Sequence, residues 1–139
     1  MERILVLVKP DAVEKGFSGA ILARREATGA KLVAAKMLQI PKALAEKHYE
    51  AHKAKPFFAG VVDFITSGPV VAAVFEGNDV VARVRKAMGA TNPANADAGT
   101  IRRDFAESIE RNAVHGSDSP ETAKIEIALY FKPEEIVAY

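Results

Sequence analysis

His115 stands between an apolar pair, Ala113-Val114, and the run Gly116-Ser117-Asp118, whose residue types favour a turn. That placement predicts an imidazole presented at a strand end, on the kind of segment that carries function. With an ordinary pKa near ~6.5 the ring is mostly neutral at neutral pH, so one nitrogen keeps a lone pair able to attack phosphorus. A covalent phosphohistidine would divide one phosphoryl transfer into two easier steps. Taken alone, a histidine at a turn is more often a surface or core residue bonded to a backbone carbonyl. Chemistry here needs further groups.

Cations are the first such groups. Lys9 lies where an apolar run ends, Arg85 near the end of a helical pattern, and Arg102 and Arg103 in a long polar stretch. Each alone is better read as solvated surface charge. No G-x-x-x-x-G-K-[ST] or G-x-G-x-x-G occurs, so a glycine loop cannot cradle phosphate, and discrete side chains would have to. His48 and His52 share a helix face at metal-ligand spacing, but the H-E-x-x-H frame lacks its glutamate, which favours solvent-facing histidines. The chain has no cysteine, which excludes thiolate nucleophiles and thiolate metal ligands. Phe57 and Phe58 after Pro56 read as core aromatics, although an aromatic at a segment start could offer its face to a nucleobase.

The elements that must position these residues follow from pattern. Ile4 to Val8 is an apolar strand stopped by Lys9-Pro10-Asp11. Ser18 can cap a helix through Ile21, Leu22 and Ala23, with Gly29 as a left-handed stop. Lys31 to Ile40 is a second strand, ended by Pro41. A polar helix through Leu44, Lys47, His48 and Tyr49 and a second helical segment from Phe57 to Thr66 form a pair covering a sheet face. Val70 to Phe75 is a third strand, and Asn78 or Asp79 caps a helix through Val80, Val81, Val84 and Met88 that stops at Gly89. Ala90 to Asn112 reads as a long loop, the length that usually signals function. Ser119-Pro120 opens a last helix carrying Ile125, Ala128 and Leu129. Only four strands and no glycine-rich strand-to-helix turn favour an α+β, ferredoxin-like split βαβ fold: a four-stranded antiparallel sheet covered by helices, plus the long loop.

With 139 residues, 49% hydrophobic and 27% charged, the chain is expected to form a single domain over residues 1–139. Nineteen Lys and Arg against eighteen Asp and Glu leave a net charge of +1, which gives no basis for nucleic acid or anionic membrane as a partner. The first apolar run is too short for a signal segment or a membrane span. A cytoplasmic protein is expected.

At this point the motifs converge. Asn112-Ala113-Val114-His115-Gly116-Ser117-Asp118 closely resembles the N-x-x-H-G-S-D signature of nucleoside diphosphate kinases. The likeness extends nearly end to end through Val8-Lys9-Pro10-Asp11, His48-Tyr49, Lys55-Pro56-Phe57-Phe58, Thr66-Ser67-Gly68-Pro69-Val70-Val71, Gly89-Ala90-Thr91-Asn92-Pro93 and Gly99-Thr100-Ile101-Arg102.

The resemblance implies that His115 is the nucleophile of a ping-pong cycle, phosphorylated on its pros nitrogen, moving the γ-phosphate of a nucleoside triphosphate to a diphosphate. It implies Glu126 as a support that bonds Ser117 and fixes the imidazole. Arg85, Thr91 and Arg102 match phosphate-contacting positions, Tyr49 a hydroxyl beside the histidine, and Lys9 and Asn112 a pair that meets the ribose hydroxyls. Phe57 and Ile109, with Val61 nearby, match a base slot that stacks without reading edges, so ATP, GTP, ADP, GDP and their deoxy forms are all expected partners. Magnesium (Mg2+) is implied on the phosphates, with Asp118 a candidate partner through water. A homotetramer or homohexamer built from dimers is implied as well.

Two positions depart from the family pattern. Arg103 stands where many members have glycine, which bears on the loop backbone or adds charge near the phosphates. Arg25 stands where an aromatic is common, and is expected to bear on subunit packing through the first helix. The chain ends at Tyr139, soon after Lys132-Pro133-Glu134-Glu135, so the C-terminal extension of some members, one support for hexamers, is expected to be absent. The competing readings are a catalytically silent nucleotide-binding module of the same fold, and a ferredoxin-like sensor domain that leaves the signature unexplained.

Overall fold

The computed structural model describes all 139 residues. Four strands, β1 (Glu2–Val8), β2 (Lys31–Leu38), β3 (Val70–Gly77) and β4 (Val114–Gly116), form one sheet in the order β2-β3-β1-β4. Every neighbouring pair is antiparallel. β1 and β3 are central, the split βαβ arrangement expected from the element order. Seven α-helices connect and cover the strands: α1 (Pro10–Glu14), α2 (Ser18–Glu26), α3 (Lys42–His48), α4 (Phe58–Ile65), α5 (Val80–Met88), α6 (Ile101–Phe105) and α7 (Pro120–Tyr130).

Both faces of the sheet are buried, which is why β1 reads as a continuous apolar run. Ile4, Val6 and Val8 enter a cluster with Ile21, Val84, Met88 and Ile101, under α2, α5 and α6. Leu5 and Leu7 point the other way, into a cluster with Ala45, Val62, Ile65, Ala123 and Ile127, under α3, α4 and α7. The two-residue period of a strand therefore decides which helices each side chain meets. Leu7 pairs with His115, so the imidazole lies on the α3 and α7 face.

Several expected boundaries shift. β1 and β3 run longer than their apolar cores, and β2 ends at Leu38 rather than Ile40. The structure adds α1, a single turn with Pro10 at its start that the sequence pattern did not separate from the strand end. Ser18 opens α2 but its side chain makes no cap bond; Ser119 does cap α7, accepting from the Thr122 N–H at 3.0 Å. Asp79 occupies the α5 cap position in a left-handed conformation without a side-chain bond. Gly89 closes α5 at φ +85°, as a glycine stop should. The stretch from Ala90 to Asn112 is more than a loop, because it holds a 3₁₀ turn (Pro93–Asn95) and α6.

Arg103 falls inside α6, exposed, and donates to the Ala94 carbonyl at 3.4 Å. A helical site has no need of glycine, so the departure leaves the backbone regular. Arg25 contradicts its expectation. One turn after Ile21 on α2, it shares that residue's inward face and is 0% exposed, so it lies in the core rather than on a subunit surface.

Candidate active site

β4 is three residues long and His115 is its middle residue, not a residue of the turn beyond it. The strand is aimed by Ala113, which adopts φ +71°, a conformation that costs an L-residue roughly 1–2 kcal/mol. Two groups from the start of α1 hold it there. Asp11 Oδ2 accepts the Ala113 N–H at 3.1 Å, and the Lys9 N–H donates to the Ala113 carbonyl at 2.8 Å. The Pro10 helix start and the signature segment are thus one unit.

On the α3 and α7 face, α7 delivers Glu126. His115 Nε2 lies 2.9 Å from Glu126 Oε1, and the Ser117 hydroxyl donates to the same oxygen at 2.7 Å. Ser117 also accepts the Leu5 N–H at 3.1 Å, which ties the support to β1. Nδ1 of His115 makes no bond within the chain. Burial lowers the His115 pKa from 6.5 to about 4, against the opposing hydrogen bond to Glu126, so the ring is neutral at physiological pH. For Glu126, burial works to raise the pKa, but the hydrogen bond from His115 and the facing His48 ring outweigh it and hold the carboxyl well below the usual range. The pair is a carboxylate accepting from a neutral imidazole N–H.

His48 belongs to this cluster, which corrects the expectation of a solvent-facing residue. Its side chain is 1% exposed, its Nε2 is 3.4 Å from Glu126 Oε2, and its Nδ1 is 2.7 Å from the Tyr130 hydroxyl. Its ring lies edge-on to His115 at 4.7 Å and stacks on Tyr49 at 4.6 Å. Nothing local in the sequence reports this, because the partners come from α7. Tyr49 completes the ring set, 6.5 Å from His115, with a buried hydroxyl that finds no partner inside the chain. Burial and the nearby Glu126 charge push that hydroxyl's pKa up, so it stays a donor.

The cations surround β4 from the other side. Arg102 Nη2 donates to the Val114 carbonyl at 2.9 Å and Nη1 to the Gly89 carbonyl at 3.2 Å, while Arg85 donates to the Gly116 carbonyl at 2.9 Å. The two guanidinium groups thus brace the residues on either side of His115. Lys9 Nζ donates to Asn112 Oδ1 at 2.9 Å. Burial and the Arg102 charge lower the Lys9 pKa to about 8, and burial and Arg85 lower that of Arg102 to about 10. No carboxylate lies within ion-pair distance of Lys9, Arg85 or Arg102, although Asp11 acts on Lys9 from farther away.

The structure brings together His115, Ser117, Glu126 and Tyr49, and separately Lys9 with Asn112. Thr91 and Asp118 are exposed and make no bond within the chain. Phe57 and Ile109 are about half exposed, 51% and 50%, with Val61 partly buried, so their apolar faces are open to a ligand. A groove lined by Met1, Arg3, Lys124, Phe131 and Ile136 holds none of these residues. Asp118 offers an exposed carboxylate that makes no bond within the chain, an oxygen donor of the kind a hard divalent cation takes.

A family model described as nucleoside diphosphate kinase matches residues 2–136. The nucleoside diphosphate kinases of Dehalococcoides mccartyi strain CBDB1 and Listeria welshimeri are each 56% identical over 139 residues, covering 100% of this chain and 98% and 95% of the relative. Among solved structures, the nucleoside diphosphate kinase of Aquifex aeolicus superposes with a TM-score of 0.96 at 45% identity, over 98% of this chain and 99% of that one. That of Halobacterium salinarum, in complex with CDP, gives 0.96 at 46% identity, over 99% and 92%. The chain belongs to the nucleoside diphosphate kinase family.

Proposed function

We propose that the chain moves the γ-phosphate of a nucleoside triphosphate to a nucleoside diphosphate through a phosphohistidine at His115. The observation that carries this reading is an imidazole with Nε2 fixed on Glu126 and Nδ1 free, beside cations that have no acidic partner. The Nδ1 lone pair attacks the γ-phosphorus as the bond to the bridging oxygen breaks, and the diphosphate leaves with that electron pair. The ring gains positive charge in this step, and Glu126 stabilises it through the Nε2–H it already accepts. An acceptor diphosphate then attacks the same phosphorus, and the N–P bond breaks.

Arg85, Arg102, Thr91 and Tyr49 donate to the moving phosphoryl oxygens, and Lys9 and Asn112 hold the ribose. Phe57, Val61 and Ile109 take the base by stacking, which suits purines and pyrimidines alike. Magnesium bound to the phosphates, with Asp118 reaching it through water, would neutralise charge there. A cytoplasmic setting and a homotetramer or homohexamer belong to the same proposal. β2 is an edge strand with Met37 62% exposed, a surface that suits a subunit contact. Light scattering measures the assembly.

The test is to incubate the protein with γ-labelled triphosphate and magnesium, remove nucleotide, and assay acid-labile phosphate on the chain. His115→Ala is expected to lose both label and transfer with circular dichroism unchanged. Transfer retained in that variant would place the nucleophile elsewhere. A silent nucleotide-binding module would take no label even with His115 intact.

A further inference from the structure

His48, His115 and Glu126 each present one ligand atom, and these atoms lie within 4.8 Å of one another. Two imidazoles and a carboxylate are the donor set of a three-ligand zinc site with an open fourth position. Zinc bonds of about 2.0–2.1 Å place tetrahedral ligand atoms about 3.3 Å apart, so the widest spacing must close by up to about 1.5 Å. The 3.4 Å between His48 Nε2 and Glu126 Oε2 already matches that edge.

A second feature points the same way. His48 Nε2 is buried and has no hydrogen-bond partner, although it faces the carboxylate. Its other nitrogen is 2.7 Å from the Tyr130 hydroxyl. With Nδ1–H donating to that oxygen, the Nε2 lone pair points into the cluster, the outer-sphere arrangement that orients metal-binding histidines.

We propose that this cluster is an inhibitory site for a zinc-type transition-metal cation, distinct from the cation carried on the nucleotide phosphates. A metal on Nε2 of His115 uses that nitrogen's lone pair, so the single proton of the neutral ring moves to Nδ1. The Nδ1 lone pair is then absent and phosphorus cannot be attacked. The metal also takes the Glu126 oxygen that supports the ring. Magnesium does not compete, because it prefers oxygen donors and holds its waters. Binding rests on the geometry alone. Inhibition rests in addition on the reading of Nδ1 as nucleophile, so the two are tested separately.

For binding, untagged, nucleotide-free protein is titrated with Co2+ and followed by its visible absorption. A band that saturates at one Co2+ per chain, is bleached by Zn2+ and is untouched by excess Mg2+ supports the site. The band should vanish in His48→Gln, weaken about tenfold in affinity in Tyr130→Phe, which leaves the ligands intact, and persist in His52→Gln. Absence of a band, its survival in His48→Gln with Tyr130→Phe unaffected, or its loss in His52→Gln overturns the proposal. For inhibition, protein loaded with Zn2+ is given labelled triphosphate and magnesium, then a chelator. Suppressed labelling restored by the chelator supports the tautomer argument, and labelling at the metal-free rate overturns it. Metal-free protein that takes no label refutes the nucleophile reading while leaving the Co2+ result to judge the metal site.

Discussion

Replacing Arg25 by phenylalanine is expected to stabilise the protein. The guanidinium is 0% exposed, and its Nε, Nη1 and Nη2 all lack hydrogen-bond partners. It lies on the α2 face of a core cluster that includes Ile21, Val84 and Ile101, and the charge that acts on it, Arg102, is also positive. Burial, then Arg102, lower its pKa to about 9, more than three pH units below the ordinary guanidinium value. At about 1.4 kcal/mol per tenfold change, that corresponds to on the order of 5 kcal/mol held against the charged form. Phenylalanine has no buried donors and approximates the volume, but repacking costs something. A net gain of about 2–4 kcal/mol is the expectation, in the range seen when buried charges give way to packed apolar groups. At roughly 3–4 °C per kcal/mol for a domain near this size, Tm should rise by about 6–16 °C.

The assay is thermal and urea unfolding of both proteins at one protein concentration, since assembly would otherwise shift Tm. The pH dependence supplies an internal check. The folded pKa lies below the unfolded one, so above about pH 9 the unfolded chain binds more protons, and wild-type stability rises with pH there. The gap between the two proteins should therefore be constant below pH 9 and narrow above it. An unchanged or lower Tm in Arg25→Phe would refute the reasoning.

The remaining predictions concern the site. The pH profile of kcat/KM should be flat near neutrality, with an acid limb near pH 4 where His115 gains a proton and an alkaline limb near pH 8 where Lys9 loses one; an acid limb near 6.5 would mean the histidine is not desolvated. Phe57→Ala should raise KM for purine and pyrimidine diphosphates together, by about 5- to 150-fold for a stacking contact of ~1–3 kcal/mol, and a loss confined to one base would contradict the slot. In Gly89→Ala the new Cβ would lie 2.5 Å from Thr100 Oγ1 at φ +85°, so the α6 cap must move. Destabilisation of at least ~1–2 kcal/mol is expected in urea unfolding, with a raised KM because Arg102 follows that cap.

Most of the fold was legible where one element carries its own signal. The apolar run of β1, the Gly89 stop and the Ser119-Pro120 helix start each report themselves locally. α1 and α6 did not, because five residues give too short a window for a helical period to emerge. The site divided in the same way. His115, Lys9 and Arg102 were found through motif likeness, whereas His48 was misassigned because its burial is decided by Tyr130 and Glu126, more than seventy residues away. Arg25 failed for a related reason: a charged residue is placed outside by default, and only its helical phase with Ile21 reveals the inward face.

Lys9, Arg25, Arg85 and Arg102 form a chain of like charges, each lowering the proton affinity of a neighbour or having its own lowered. The ligand-free protein therefore holds internal repulsion that a bound polyanion relieves. Part of the affinity for nucleotide is then folding free energy, and binding should tighten α6 and the turn before it as well as fill the pocket.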